Sequence, residues 1–235
     1  MKNSERKLEN YKWFPIITGL FVAVLLISNI ASTKIINIGP FVFDGGTLLF
    51  PLSYIFGDIL TEVYGYSGSR KVIWTGFISA ILMAITLAIV AAIPPNESWQ
   101  WNDAFKALFS LVPRIVLASL IAYWAGEFTN SYILAKMKVF TKGKWLWTRT
   151  IGSTLVGELV DSVLFVSIAF IGILNPGIVL TIIISNYLFK TGVEVIMTPL
   201  TYRVVSFLKK EEKEDAFDDK TNFNPFLIEN ESKTK

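Results

Sequence analysis

The stretch GTLLFPLSYIFGDILTEVY, residues 46–64, has the length of a membrane crossing, yet Pro51, Asp58 and Glu62 interrupt its apolar run. A helix needs about 20 apolar residues to cross a hydrocarbon core of about 30 Å, and a charge within one is costly unless it faces protein or water. The neighbours of 46–64 determine how it is read. Apolar runs of spanning length lie at 14–32, 72–93, 111–136, 147–171 and 178–208. Lys2, Arg6, Lys7 and Lys12, then Arg70 and Lys71, then Lys136, Lys138, Lys142, Lys144 and Arg149, then Lys209 and Lys210 flank alternate ends of these runs. Cytoplasmic loops carry such an excess. The intervening loops contribute only Lys34 and Lys106, and 94–103 and 172–177 hold no Lys or Arg. Omitting 46–64 would place Arg70 and Lys71 outside; including it keeps the alternation. The expected fold is therefore an all-α integral membrane protein of six transmembrane helices with both termini cytoplasmic.

Composition agrees. Of the 235 residues, 52% are hydrophobic and 17% charged, and the mean hydropathy is +0.50, more than a soluble domain needs to fill one core. The absence of Cys excludes disulfides and thiolate metal sites, and the absence of His removes the usual neutral-pH proton shuttle, so proton chemistry falls to carboxylates. The net charge of +3 is dispersed between apolar runs, which argues against nucleic acid as a partner. Met1 to Lys12 is basic and precedes an apolar run, as in a signal peptide, but that run continues through Ile30 without a small-residue cleavage site and reads as a retained helix. Residues 1–208 form the expected membrane domain. Residues 209–235 read as a charged, mostly disordered cytoplasmic tail whose one apolar patch, Phe223 to Ile228, suits an interfacial contact.

Gly76, Ala80, Ala84, Ala88 and Ala92 recur every fourth residue and read as a seam for close helix packing, within the chain or between two copies of it. Polar residues follow the same spacing: Tyr54, Asp58 and Glu62; Ser119, Tyr123, Glu127 and Asn130; Thr154, Glu158, Asp161 and Phe165; Asn186, Lys190 and Glu194. Asn29 joins them from the first span, and Arg114 lies near the outer end of the fourth. The acids Asp58, Glu62, Glu127, Glu158, Asp161 and Glu194 outnumber the bases Arg114 and Lys190. An isolated charge at the bilayer centre costs at least about 2.5–3.5 kcal/mol, so these carboxylates must pair, protonate or meet a polar ligand. Glu62 and Arg203 are near enough to the surface to snorkel, and Lys190 with Glu194 fits an intrahelical ion pair. Asp58, Glu158 and Asp161 lie deeper and read as functional. Most tryptophans fall at span ends, as an aromatic belt does. Three stretches echo one another, each a glycine followed by an acid: Gly57-Asp58, Gly126-Glu127 and Gly157-Glu158.

Residues 50–65, FPLSYIFGDILTEVYG, resemble the signature of the queuosine precursor transporter family, also called the vitamin uptake transporter family. Further matches are Pro113-Arg114-Ile115 leading to Ala118-Ser119 and Ala122-Tyr123, Ser153-Thr154 with Gly157 and Asp161-Ser162, and Lys190 and Thr198-Pro199. The resemblance implies uptake of 7-deazaguanine bases, from which bacteria make queuosine in tRNA. It also implies residence in the bacterial cytoplasmic (inner) membrane and a fold akin to the substrate-binding subunits of energy-coupling-factor transporters. Asp58, Arg114, Asp161 and Lys190 carry over most directly, because the family pattern admits other polar residues at Glu62, Glu127 and Glu158. The substrate-binding candidates are these four with Glu158, Glu127, Asn186, Asn29, Tyr54 and Tyr123. A guanine-like edge offers adjacent N–H donors to a carboxylate, an aminomethyl precursor adds a cation, Arg114 or Lys190 can donate to the base carbonyl, and Tyr54, Tyr123 or Phe165 can stack on the ring.

Two mechanisms fit. The first is a gradient-driven importer, proton-coupled through a carboxylate, consistent with the lack of a nucleotide-binding motif. The alternative is the capture subunit of an ATP-driven energy-coupling-factor vitamin transporter, docking through a face such as Gly19 and Ala23. An intramembrane hydrolase would need a nucleophile motif that the chain lacks, and a purely structural role leaves the buried charges unexplained. No catalytic residue, metal or cofactor is expected; the expected partners are a purine-like small molecule, the lipid bilayer and, for a homo-oligomer, a second copy.

Overall fold

The computed structural model describes residues 11–38, 41–109, 113–172, 175–219 and 221–227. Along it run α1 (Phe14–Ala31), β1 (Ile35–Ile38), β2 (Phe41–Asp44), a 3-10 turn (Gly45–Leu48), α2 (Phe50–Ala92), α3 (Asn102–Phe109), α4 (Pro113–Phe140), α5 (Leu146–Phe170) and α6 (Pro176–Glu212). Prolines open four of these helices: Pro15 in α1, Pro51 in α2, Pro113 in α4 and Pro176 in α6. The first turn has no use for a proline's missing N–H. Pro51 is thus no interruption of the 46–64 segment; it starts the helix there, after the 3-10 turn.

The decisive feature is Gly65, whose φ of 77° and ψ of 173° break α2 in a region essentially reserved for glycine. Thr61 Oγ1 donates to Ser131 Oγ at 3.1 Å, and Ser69 Oγ lies 2.9 Å from that same oxygen. Two residues equally far on either side of Gly65 meet one hydroxyl of α4. Tyr54 and Gly76, again symmetric about Gly65, approach Gly126 and Tyr123 on adjacent turns of α4. The chain therefore doubles back at Gly65, so that 50–64 and 66–92 are two antiparallel arms.

The arms pack on α4, and α4 packs on α5 where glycines meet. A Cβ on Gly126 would lie 3.0 Å from the Gly157 carbonyl, and one on Gly157 would lie 3.1 Å from that of Gly126. The glycines of the echoed Gly-acid stretches thus let backbones touch. Gly76 faces Phe21 and Leu25 of α1, and Ala80 is buried, but Ala88 and Ala92 further along the small-residue stripe are exposed.

Burial is inverted relative to a soluble domain. Ile78, Leu82 and Ile89 of α2, Leu188 and Ile196 of α6, and Leu159 of α5 are exposed, while Asp58, Glu62, Glu127, Glu158, Asp161 and Glu194 are buried. An apolar coat around a polar interior suits lipid as the solvent. Among the described residues four helices are long and apolar enough to cross a membrane: 14–31, 50–92, 146–170 and 179–212. The β1–β2 hairpin, with Ile35 opposite Asp44 and Ile38 opposite Phe41, and the short α3 are additions to the all-α expectation.

At the basic end of the bundle, Glu212 of α6 accepts the backbone N–H groups of Lys12 (3.2 Å) and Trp13 (2.6 Å) at the start of α1. A carboxylate at a helix N-terminus satisfies orphan donors and complements the dipole. Helix α6 thus passes the expected domain limit at 208. Beyond it, residues 214–219 and 221–226 lie against α2 and α4, where composition alone suggests disorder: Asp218 accepts from the Tyr66 N–H, and Arg70 donates to the Asn222 and Asn224 carbonyls.

Candidate functional site

Helical spacing places Glu158 and Asp161 on one face of α5, and Asn186 and Lys190 on one face of α6. These faces meet. Lys190 forms a short ion pair with Asp161 and lies 3.3 Å from Glu158, so one cation offsets two buried acids. Its ammonium also sits 4.3 Å from the centre of the Phe50 ring, a cation–π contact. The intrahelical Lys190–Glu194 pair read from the spacing does not form; Lys190 reaches across to α5 instead.

Around this pair lies a narrow pocket lined by Ser32, Thr47, Phe50, Ser119, Asp161, Phe165, Asn186 and Lys190. These residues come from where α1 ends, α2 and α4 begin, α5 nears its end and α6 is in its first half. The pocket therefore occupies the end of the bundle opposite the basic one. Asn186 is buried, and its Oδ1 meets no hydrogen-bond donor among the described residues. Asn29 does not line the pocket, but its Oδ1 accepts from Ser119 Oγ at 2.9 Å while its amide donates to the Leu25 carbonyl, fixing the Ser119 hydroxyl.

Below the pocket sits a second polar layer. Asn130 donates to Asp58 at 2.8 Å, and Glu127 occupies the space that a side chain at Gly57 would take. Both carboxylate oxygens of the buried Glu127 have no hydrogen-bond donor among the described residues, and the buried Asp58 and Glu194 carboxyls lie against each other within hydrogen-bond reach. Tyr54 and Tyr123, read as stacking candidates, serve packing: the Tyr54 hydroxyl approaches the Gly157 carbonyl at 3.4 Å, and Tyr123 tilts against Phe21. The rings at the pocket are Phe165 and Phe50. Phe50 was missed, although it extends the Tyr54–Asp58–Glu62 stripe by one turn. Ser32 and Thr47 lie outside the long helices, where periodicity gives no signal. The Arg114 side chain lies outside the described residues.

Glu62 is no surface anchor. It is 1% exposed and clasped by Arg149 of α5, with Lys209 of α6 at 2.6 Å and Lys138 of α4 at 3.5 Å. Lys138 and Lys209 also hold Asp215, at 2.6 and 2.8 Å. This network closes the basic end.

Residues 44–204 match the model of a family described as "Putative vitamin uptake transporter". A Bacillus subtilis (strain 168) protein named "Probable queuosine precursor transporter" is 28% identical over 199 residues, covering 83% of this chain and 87% of that protein. The Escherichia coli (strain K12) "Queuosine precursor transporter" is 25% identical over 162 residues, 69% of this chain and 71% of its own length. A Haemophilus influenzae protein, also named "Probable queuosine precursor transporter", is 24% identical over 163 residues, 68% of this chain and 67% of its own. No solved structure matches the chain significantly.

Proposed function

This chain belongs to the vitamin uptake transporter family, and we propose that it imports queuosine precursors, 7-deazaguanine bases, across the bacterial cytoplasmic membrane as a multi-pass carrier. The observation that carries this reading is the Lys190–Asp161 pair set beside Phe50, Phe165 and Asn186 in one pocket, with Glu158 buried behind Lys190. A planar base needs an apolar face and a polar edge. Phe50 and Phe165 offer the face. The carboxylates accept the adjacent N–H groups of a guanine-like edge, and Lys190 or Asn186 donates to its carbonyl. An aminomethyl group would bring a second cation to the two acids that Lys190 alone now serves.

In this reading the arms of α2 are two crossings, which with α1, α4, α5 and α6 makes six. The basic end, where α1 begins and α6 finishes, is cytoplasmic. The pocket then faces outward, and the Glu62 network seals the inner side. Asp58, Glu127 and Glu194, for which Lys190 supplies no charge, are the groups through which proton movement is coupled to uptake. The alternative, a capture subunit of an ATP-driven energy-coupling-factor vitamin transporter, is supported by the open outer face of α1, where nothing lies within 4 Å of a Cβ on Gly19 and Ala23 is exposed.

Proteoliposomes containing only this chain distinguish the two. Accumulation of labelled precursor under an imposed proton gradient is the expected result; binding without accumulation favours the capture subunit. Asp161→Asn should abolish binding, and unchanged affinity would remove Asp161 from the site.

A further inference from the structure

The reversal at Gly65 leaves backbone groups without helical partners on both sides of it, and the chain's own C-terminal segment supplies them. The Ala216 N–H donates to the Val63 carbonyl at 3.2 Å, closing the first arm, while both oxygens of Asp218 accept the Tyr66 N–H at 3.2 and 3.0 Å, capping the second. Thr221 orients the Asp218 carboxylate by donating at 2.7 Å. A helix break near a membrane is tolerated where such groups are satisfied. The segment is therefore built onto the break.

Its further contacts spread over elements that must separate if this end opens. The Trp74 indole N–H donates to the Pro225 carbonyl at 2.7 Å. Phe223 lies edge-on to Tyr132 of α4 and close to Tyr66 of α2, with the Lys136 ammonium 4.1 Å from its ring centre. Phe226 packs on both Trp74 and Trp124. Asp215 bridges Lys138 of α4 and Lys209 of α6, the cations that also hold Glu62. The segment thus joins both arms of α2 with α4 and α6.

The grip is graded: Glu62 is 1% exposed, whereas Asp215 has a side-chain exposure of 47% and Phe226 is 63% exposed. Partly solvated contacts at the surface can release without dismantling the core. Asp218 is buried at the break while Asp215 and Phe226 lie at the wet rim, and removal of the segment would uncover the reversal point and loosen two of the three cations on Glu62.

We propose that residues 214–219 and 221–226 form a detachable latch that holds the basic end of the bundle closed and must release for that end to open. This rests on the transporter reading, because a latch on an opening end presupposes alternating access. The latch is specified by the chain itself, so its release is a step at which cytoplasmic conditions can act on uptake.

The absence of cysteine makes the test direct. Ser69→Cys places a thiol at a fully buried position beside Arg70, and its labelling by a water-soluble maleimide needs no substrate. Truncation after Lys213, and separately full-length Phe223→Ala/Phe226→Ala, should each speed that labelling by about tenfold or more, since the lost aromatic contacts bear on local opening. Unchanged labelling in both overturns the latch. In the converse experiment, Phe223→Cys/Tyr132→Cys joined by a short bis-maleimide should still bind precursor but lose uptake. Uptake undiminished in the joined protein also overturns it. Failure of the unjoined protein to bind precursor would count against the substrate reading and leaves the labelling result to judge the latch.

Discussion

Arg149 donates from two guanidinium nitrogens to the two carboxylate oxygens of Glu62, joining α5 to the first arm of α2 at the buried basic end. With Lys138 and Lys209 also on Glu62, three cations converge on this one buried carboxylate, the two lysines being shared with the half-exposed Asp215. Removing one partner of a buried ion group leaves charge uncompensated, at a cost of about 3–5 kcal/mol, whereas an exposed pair contributes roughly 0–1 kcal/mol. Glu62→Ala should therefore lower unfolding stability in detergent by several kcal/mol. A change within the surface-pair range would return Glu62 to the role of a snorkelling anchor.

Gly57 is required by its neighbour across the helix interface. A Cβ there would fall 1.8 Å from Glu127 Oε1, so the buried Glu127 carboxyl would have to move. Gly57→Ala should destabilise by about 1–3 kcal/mol, as overpacking does. The same change made in a Glu127→Ala background should cost much less, because the space is then vacant. A double-mutant cycle of unfolding energies tests this; additivity would show that the two do not compete for that volume.

Much of this was legible in the sequence, for identifiable reasons. Helical periodicity put Asp161 with Glu158 and Asn186 with Lys190, because spacing within one helix fixes its faces. Pairing between helices escapes that logic: spacing offers Lys190 only Glu194 on its own helix as an alternative to a site role, whereas the acids it meets are those of α5. Glu62 was read as an anchor because depth along a helix was visible but the three cations converging from other elements were not. The tail shows the same limit. Its composition is that of a disordered segment, and what orders it is a set of backbone groups freed at Gly65, among them the Tyr66 N–H, 152 residues from the Asp218 that caps it.

The tail's docking should carry two opposed pH dependences. Burial would raise the Asp215 carboxyl, but hydrogen bonds and charge from Lys138 and Lys209 outweigh it and hold Asp215 below the usual carboxylate range. Its contribution is thus present above the released-tail pKa of about 3.9 and lost as pH falls through the lower docked value. Asp218 is raised by burial, reinforced by Asp219 and only partly offset by Thr221, the Tyr66 N–H and Lys138. Its contribution is full below the ordinary value and declines as pH rises through the raised one. At neutral pH, Asp215→Asn should speed labelling of Ser69→Cys. Asp218→Asn, which keeps an acceptor for the Tyr66 N–H without the buried charge, should slow it. The reverse order would contradict these assignments.

Lys190 and Glu194, one helical turn apart on α6, should fail differently. Lys190 neutralises Asp161 and Glu158 at the pocket, whereas Glu194 sits in the layer below, against the Asp58 carboxyl. Lys190→Gln leaves two acids facing each other without their cation. They can coexist only if one takes a proton, which changes the donor and acceptor pattern that a base edge would meet. Precursor binding should fall by at least about 100-fold, the scale of about 3 kcal/mol for an unpaired buried charge. Glu194→Gln removes a titratable site without touching the pocket, so binding should survive while uptake ceases to respond to an imposed proton gradient. Equilibrium binding and gradient-driven uptake, measured on the same two variants, separate the roles. Loss of binding in Glu194→Gln would merge the two layers into one site, and gradient-dependent uptake that persists in that variant would place the coupling on Asp58 or Glu127.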